Sequence, residues 1–199
     1  MLHRKLGNTG TSVGKIALGT MYFGSETPEG DAFSILDTFI EAGGNLVDTA
    51  NVYVNGVSEE IIGRWIAVRP KDITDQVVLA TKGRFNANQE VNSAGLTRRW
   101  LRRSLDASLT RLRAETIDLY QLHASDMHTP VEETLSFLDD AVKAGKIHYI
   151  WSVEFRGLAT AAHRVDRQGY GRPSSSAATT SIQPAFSRDR VGSDSRRTS

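Results

Sequence analysis

The sequence predicts an α/β fold built on a parallel sheet, and two observations carry that prediction. Short apolar runs of strand length alternate with amphipathic helical patterns, and each strand-plus-helix unit takes about 30–40 residues, the size of a βαβ unit. The runs are 15–19, 45–48, 77–82, 117–123 and 146–150. Runs so short and apolar suit strands buried on both faces of a parallel sheet. The alternation alone leaves a doubly wound sheet and a barrel open. A doubly wound dinucleotide fold asks for G-x-G-x-x-G after a first strand, and the chain has none. It also lacks a phosphate loop, a G-x-S-x-G elbow and an H-E-x-x-H pair.

Each element has its own signal. A Gly-rich stretch from Leu6 to Gly14 precedes the first run and reads as a small hairpin. Phe33, Leu36, Phe39 and Ile40 stripe a helix over 31–42, which Gly43 and Gly44 stop. Ser58 reads as the cap of a second helix, with Glu59 and Glu60 in its first turn and Ile61, Ile62, Trp65 and Ile66 as its apolar face. Leu101, Leu105, Leu109 and Leu112 stripe a third. Thr129-Pro130-Val131-Glu132 reads as a capping box for a fourth, with Val131, Leu135, Leu138 and Val142 inward and Gly145 at its end. A fifth helix is expected from about Glu154 to Val165.

Composition narrows the function. The 199 residues are 39% hydrophobic with a net charge of +1, enough for one globular core. No run approaches the roughly 20 apolar residues that span a bilayer, and the N-terminus has no secretory leader, so a soluble, cytoplasmic protein is expected. The absence of cysteine excludes disulfides, thiolate zinc and thiol catalysis. Residues 172–199 carry five Arg, two Asp and eight Ser, a net +3, which leaves −2 over 1–171. That body makes no call on nucleic acid or membranes. The sequence therefore divides into a patterned unit, 1–171, and a Ser/Arg-rich tail, 172–199, with too few apolar side chains to offset its ordering entropy.

The functional signal is positional. Asp48, Lys82 and His123 each stand where the apolar part of a run ends, on three successive runs, and Tyr53 follows Asp48 in the next loop. In a parallel barrel the carboxyl ends of the strands share one face, where active sites are built. A tyrosine hydroxyl titrates near pH 10 in water, and a neighbouring ammonium favours its phenolate. An aspartate fixes that ammonium, and a histidine orients a carbonyl. Such a set protonates a carbonyl oxygen. Hydride has to come from a nicotinamide cofactor, since no side chain supplies it. Taken singly, each has a stronger plain reading, Asp48 as a turn residue, Lys82 as a solvated lysine, His123 as a satisfied strand-end histidine and Tyr53 as packing, and it is their joint placement that favours a site.

Several stretches resemble the aldo-keto reductases. They are residues 45–53 (NLVDTANVY) with 56–63 (GVSEEIIG), 79–82 (LATK), 117–123 (IDLYQLH), 145–150 (GKIHYI), 4–7 (RKLG) and 18–21 (LGTM). The resemblance covers about residues 2–150. It implies a (β/α)8 TIM-type barrel, incomplete here at five to six of eight units, with an N-terminal hairpin. It implies reduction of aldehydes or ketones with NADPH, with Tyr53 as proton donor, Lys82 and Asp48 as its tuning pair and His123 as carbonyl orienter. It sets Gly19, Thr20 and Met21, with Asp48, beside the nicotinamide, and Met21, Tyr22 and Phe23 on the substrate wall. Gln183 corresponds to a glutamine on the nicotinamide amide and Phe186 to a stacking aromatic.

After Ile150 the sequence departs from the family pattern. Where the family has Gly-Val-Ser-Asn-Phe, this chain has Trp151-Ser152-Val153-Glu154-Phe155. Val153 and Glu154 replace the Ser and Asn that grip the carboxamide, and Glu154 as a carboxylate donates no hydrogen bond. A full barrel takes about 250 residues, so a truncated reductase with exposed sheet edges and marginal stability is expected. Three other readings stand beside the reductase. They are a cofactor-sensing regulatory subunit, a product of a broken gene without function, and nucleic-acid binding through the arginines of the third helix, which the −2 body disfavours.

Overall fold

The computed structural model describes residues 1–86 and 90–152, and for Ser152 its backbone alone. The expected helix at 154–165, the boundary at 171/172 and the tail lie outside the described residues, as do Val153, Glu154, Gln183 and Phe186. Seven strands and five α-helices follow in order: β1 (His3–Lys5), β2 (Ser12–Gly14), β3 (Leu18–Gly19), α1 (Glu29–Glu41), β4 (Leu46–Asp48), α2 (Val57–Val68), α3 (Lys71–Thr74), β5 (Val78–Gly83), α4 (Arg98–Leu112), β6 (Ile117–Leu122), α5 (Val131–Lys143) and β7 (Ile147–Ser152). A 3-10 turn, Tyr53–Gly56, leads into α2.

β3 to β7 form one parallel sheet in sequence order, β3-β4-β5-β6-β7. Sequential order is that of a barrel wall, and it decides between the two architectures the sequence left open. The described strands form an arc of a (β/α)8-type barrel. β1 and β2 pair antiparallel, so the hairpin starts ahead of the Gly-rich stretch with β1 and takes the end of that stretch as β2. The first parallel strand is only Leu18–Gly19, shorter than the 15–19 run, and Ile16 is exposed.

Period-two alternation separates two cores. Val47, Leu79, Tyr120 and Leu122 face outward and meet the helices through Leu36, Ile61, Ile62, Trp65, Leu101, Leu105 and Leu138. Val78, Ala80 and Leu119 face inward and meet Leu6 and Val13 of the hairpin, with Leu46, Tyr149 and Trp151 packed alongside. The hairpin thus floors the arc.

Two expected helix starts are made differently. Ser58 is not the cap of α2, since Gly56 holds that position. Ser58 is fully buried and its hydroxyl donates to the Thr20 carbonyl, because a buried oxygen is claimed by the loops packed over it. Thr129 does not cap α5 either; Pro130 stands there without a side-chain bond. The Thr129 hydroxyl donates to Asp126, a charged acceptor that also takes the Leu96 and His128 amides. The buried face of α5 is Thr134, Phe137, Leu138 and Ala141, with Val131, Leu135 and Val142 half-buried.

α2 and α4 approach closely, since a Cβ on Gly63 would lie 2.1 Å from the Arg111 carbonyl oxygen. Between them sits a buried ion pair. Glu59 is fully buried; one carboxylate oxygen accepts Arg111 at 2.7 Å and the other accepts the Thr81 hydroxyl at 2.6 Å. One acidic side chain therefore ties α2 and α4 to the outward face of β5, one residue before Lys82. Removing one partner of such a pair strands the other charge. Glu59→Ala is expected to cost about 3–5 kcal/mol in chemical denaturation; a loss below about 1 kcal/mol, the scale of a surface pair, would contradict this role.

Candidate active site

Three of the four polar residues singled out in the sequence arrive by strand register. Asp48 ends β4 and pairs with Gly19 on one side and Ala80 on the other. Lys82 lies in β5 and pairs with Gln121 of β6. His123 follows β6, its amide donating to the Gly83 carbonyl. Inward positions recur at every second residue, so Asp48, Lys82 and Gln121 all point to the interior above the apolar layer of Leu46, Ala80 and Leu119.

Tyr53 is delivered by the backbone after β4. The Thr49 amide donates to the Ala80 carbonyl and the Asn51 amide to the Lys82 carbonyl, which zips the loop onto β5. Asn51 Nδ2 donates to the Phe85 carbonyl and to Ser104, anchoring the loop to α4. Val54 and Asn55 then adopt left-handed backbone, φ 47° and 57°. For a β-branched valine that conformation is strained, and the contacts on either side impose it.

The result is one cluster. Lys82 Nζ donates to Asp48 Oδ2 at 2.7 Å, to the Thr49 carbonyl at 2.8 Å and to the Tyr53 hydroxyl oxygen at 3.3 Å. All three protons of the ammonium are therefore directed. The ammonium also lies 5.0 Å from the Tyr53 ring centroid. His123 meets that ring edge-on at 5.9 Å and the Phe85 ring at 5.1 Å. All four residues come together.

The electrostatics follow from burial. Lys82 is 8% exposed, and its charge is balanced by the Asp48 carboxylate. Burial, then the Lys82 ammonium, push the His123 imidazole below its ordinary 6.5, with Asp48 pulling the other way and Arg84 adding to the downward push. Its Nδ1 is buried without a hydrogen-bond partner. The folded chain thus resists a proton that the unfolded chain accepts near 6.5, so this histidine costs stability as pH falls below that value. In an NMR titration the His123 ring protons are expected to move with a midpoint below 6.5; a midpoint at or above it would contradict the environment described.

Other expected site residues are sorted by burial. Gly19 is exposed beside Asp48, and a Cβ on it would meet nothing within 4 Å. Thr20 is buried, its hydroxyl shared with Ser58 and the Asp48 carbonyl, so it braces the strand end from behind. Met21 and Tyr22 are exposed above it, whereas Phe23 is 3% exposed and packs in the outer core rather than on a substrate wall. Two groups were missed from sequence: the Thr49 carbonyl, invisible to residue type, and Gln121, whose Nε2 donates to Asp48 Oδ1 at 2.5 Å. A polar residue at an inward position of an apolar strand is the signal that marks Gln121.

A cavity of about 590 Å³ lies beneath this layer, lined by hairpin residues Arg4, Leu6 and Val13 and by Gly19, Asp48 and Gln121. Tyr53 and His123 are not among its lining residues. It is the interior of the arc, with Gly19, Asp48 and Gln121 on its wall.

The aldo/keto reductase family model matches residues 15–182. The chain belongs to the aldo/keto reductase family. An aldo-keto reductase of Bacillus halodurans, solved in its holo form, superposes with a TM-score of 0.69 at 30% identity, over 82% of this chain and 53% of that one. An uncharacterised oxidoreductase of Bacillus subtilis, YrpG, is 39% identical over 166 residues, 79% of this chain and 50% of its own length. The norsolorinic acid reductase stcV of Emericella nidulans is 41% identical over 151 residues, 69% of this chain and 38% of its own. The chain thus spans about half the length of the reductases it matches. Among the described residues no helix is long and apolar enough to cross a membrane, and no group of acidic and histidine side chains could hold a metal ion.

Proposed function

We propose that this chain carries the proton-delivering half of an NADPH-dependent carbonyl reductase, converting an aldehyde or ketone to an alcohol. The observation that carries the proposal is the Lys82 ammonium 3.3 Å from the Tyr53 hydroxyl oxygen, locked there by Asp48 and the Thr49 carbonyl. Membership of the reductase family supports it.

Tyr53 gives its hydroxyl proton to the substrate oxygen as negative charge develops there. The phenolate left behind faces a fixed ammonium in a partly dry site, so its charge is stabilised without reorganisation. Asp48 keeps the ammonium from turning to solvent. His123, held neutral at pH 7, donates a ring N–H hydrogen bond to the same carbonyl oxygen and sets its approach to the phenol. Exposed Met21, Tyr22 and Phe85 offer apolar contact to the rest of the substrate.

The residues present fit a nicotinamide. The open ground over Gly19, where a side chain would meet nothing within 4 Å, adjoins Asp48 across the ladder and is held in place by Thr20. Gly19, Thr20, Met21 and Asp48 would hold the ring there, with Gln183 further along the chain. The cofactor supplies hydride to the carbonyl carbon when bound.

Tyr53→Phe removes the acid and keeps the ring. With the full chain, NADPH and an aromatic aldehyde, kcat is expected to fall by about 10²–10⁴-fold, the usual contribution of a general acid, while NADPH still quenches tryptophan fluorescence. Turnover unchanged in Tyr53→Phe would overturn the assignment of the acid. NADPH binding by the wild-type chain without reduction of any aldehyde or ketone would instead favour a regulatory, cofactor-sensing role.

A further inference from the structure

We propose that Gln121 is a positioning residue for the relay: its carboxamide fixes the Asp48 oxygen that Lys82 leaves free, and so sets where the ammonium stands against the Tyr53 phenol. This rests on the reading of Tyr53 as the acid.

The geometry is a clamp on one carboxylate from two strands. Asp48 Oδ2 accepts from Lys82 of β5 at 2.7 Å, and Oδ1 accepts from Gln121 of β6 at 2.5 Å. Asp48 and Gln121 sit on strands two spacings apart, about 9.5 Å, and the long glutamine bridges them. It has room because Asp48 pairs with Ala80, whose methyl rises little above the sheet. Lys82 and Gln121 are direct register partners, so both side chains leave the same face side by side and reach back to the same group. A carboxylate held at one oxygen rotates about its Cβ–Cγ bond; held at both, it does not.

The residue type matters as much as the contact. Gln121 is 8% exposed, and its amide supplies a donor without a charge. A cation there would compete with Lys82 for Asp48. A second carboxylate would repel Asp48 and draw the ammonium away from the phenol. A methionine would fill the space and offer Asp48 Oδ1 no donor from the protein. The neutral amide is the group that stiffens Asp48 and leaves the charge balance of the pair intact.

The test is competitive acetylation of Lys82 by acetic anhydride in the full chain, read by mass spectrometry against exposed Lys15 as internal standard. Gln121→Met is expected to raise Lys82 labelling about tenfold, the size of one charge-assisted hydrogen bond, as the unclamped ammonium gains access to solvent. Gln121→Glu is expected to lower labelling, because an added carboxylate holds the amine in its unreactive charged form. Both are expected to lower kcat with KM nearly unchanged. A purely structural role would lower the melting temperature in both variants and leave labelling of the folded protein at the wild-type rate; that result overturns the proposal. Should Gln121→Met not fold, unchanged labelling in Gln121→Glu overturns it alone. Labelling needs no turnover, so opposed shifts in a wild-type background that reduces no carbonyl would keep the positioning role and remove the reductase reading.

Discussion

A buried ammonium with every proton directed is the constraint around which this structure is arranged. Lys82 spends its donors on Asp48, the Thr49 carbonyl and the Tyr53 oxygen, three groups from a strand end and the loop that follows it. A charge at 8% exposure is costly unless paired and hydrogen-bonded, so the loop after β4 has to close over β5. The same closure that satisfies the lysine brings the phenol beside it. Stability of the strand end and geometry of the site therefore share one set of contacts.

Support for that closure comes from behind the sheet. Thr20, Thr49 and Ser58 join three elements through buried hydroxyls. Glu59 grips Thr81 and Arg111 on the opposite face of β5 from Lys82. Alternation along one strand thus sets the Glu59 contact outward and the Lys82–Asp48 pair inward at adjacent residues. The strained backbone at Val54 fits the same picture, since the anchored loop has to turn sharply after Tyr53.

Much of this was legible from residue order. Asp48, Lys82 and His123 could be placed because parallel strands in sequence bring their carboxyl ends together, and the apolar runs marked those ends. Helix faces at Leu36, Trp65 and Leu105 followed from their spacing. Contacts that depend on register or on backbone atoms were not legible. Gln121 is a polar residue within an apolar run, a signal that gains its meaning only when pairing sets it beside Lys82 and across from Asp48. The Thr49 carbonyl has no signature at all. Ser58 and Thr129 carry the residue types of helix caps, yet stronger local claims on their hydroxyls, a buried loop carbonyl and the Asp126 carboxylate, took them elsewhere.

Lys82 held at the phenol in solution is the condition on which the whole site depends. Lysine-selective ¹⁵N NMR of the full chain reads this directly. A Lys82 ammonium signal protected from solvent exchange, with nuclear Overhauser contacts to the Tyr53 ring, is the expected result. An ammonium exchanging as fast as those of exposed lysines, with no contact to that ring, would contradict it.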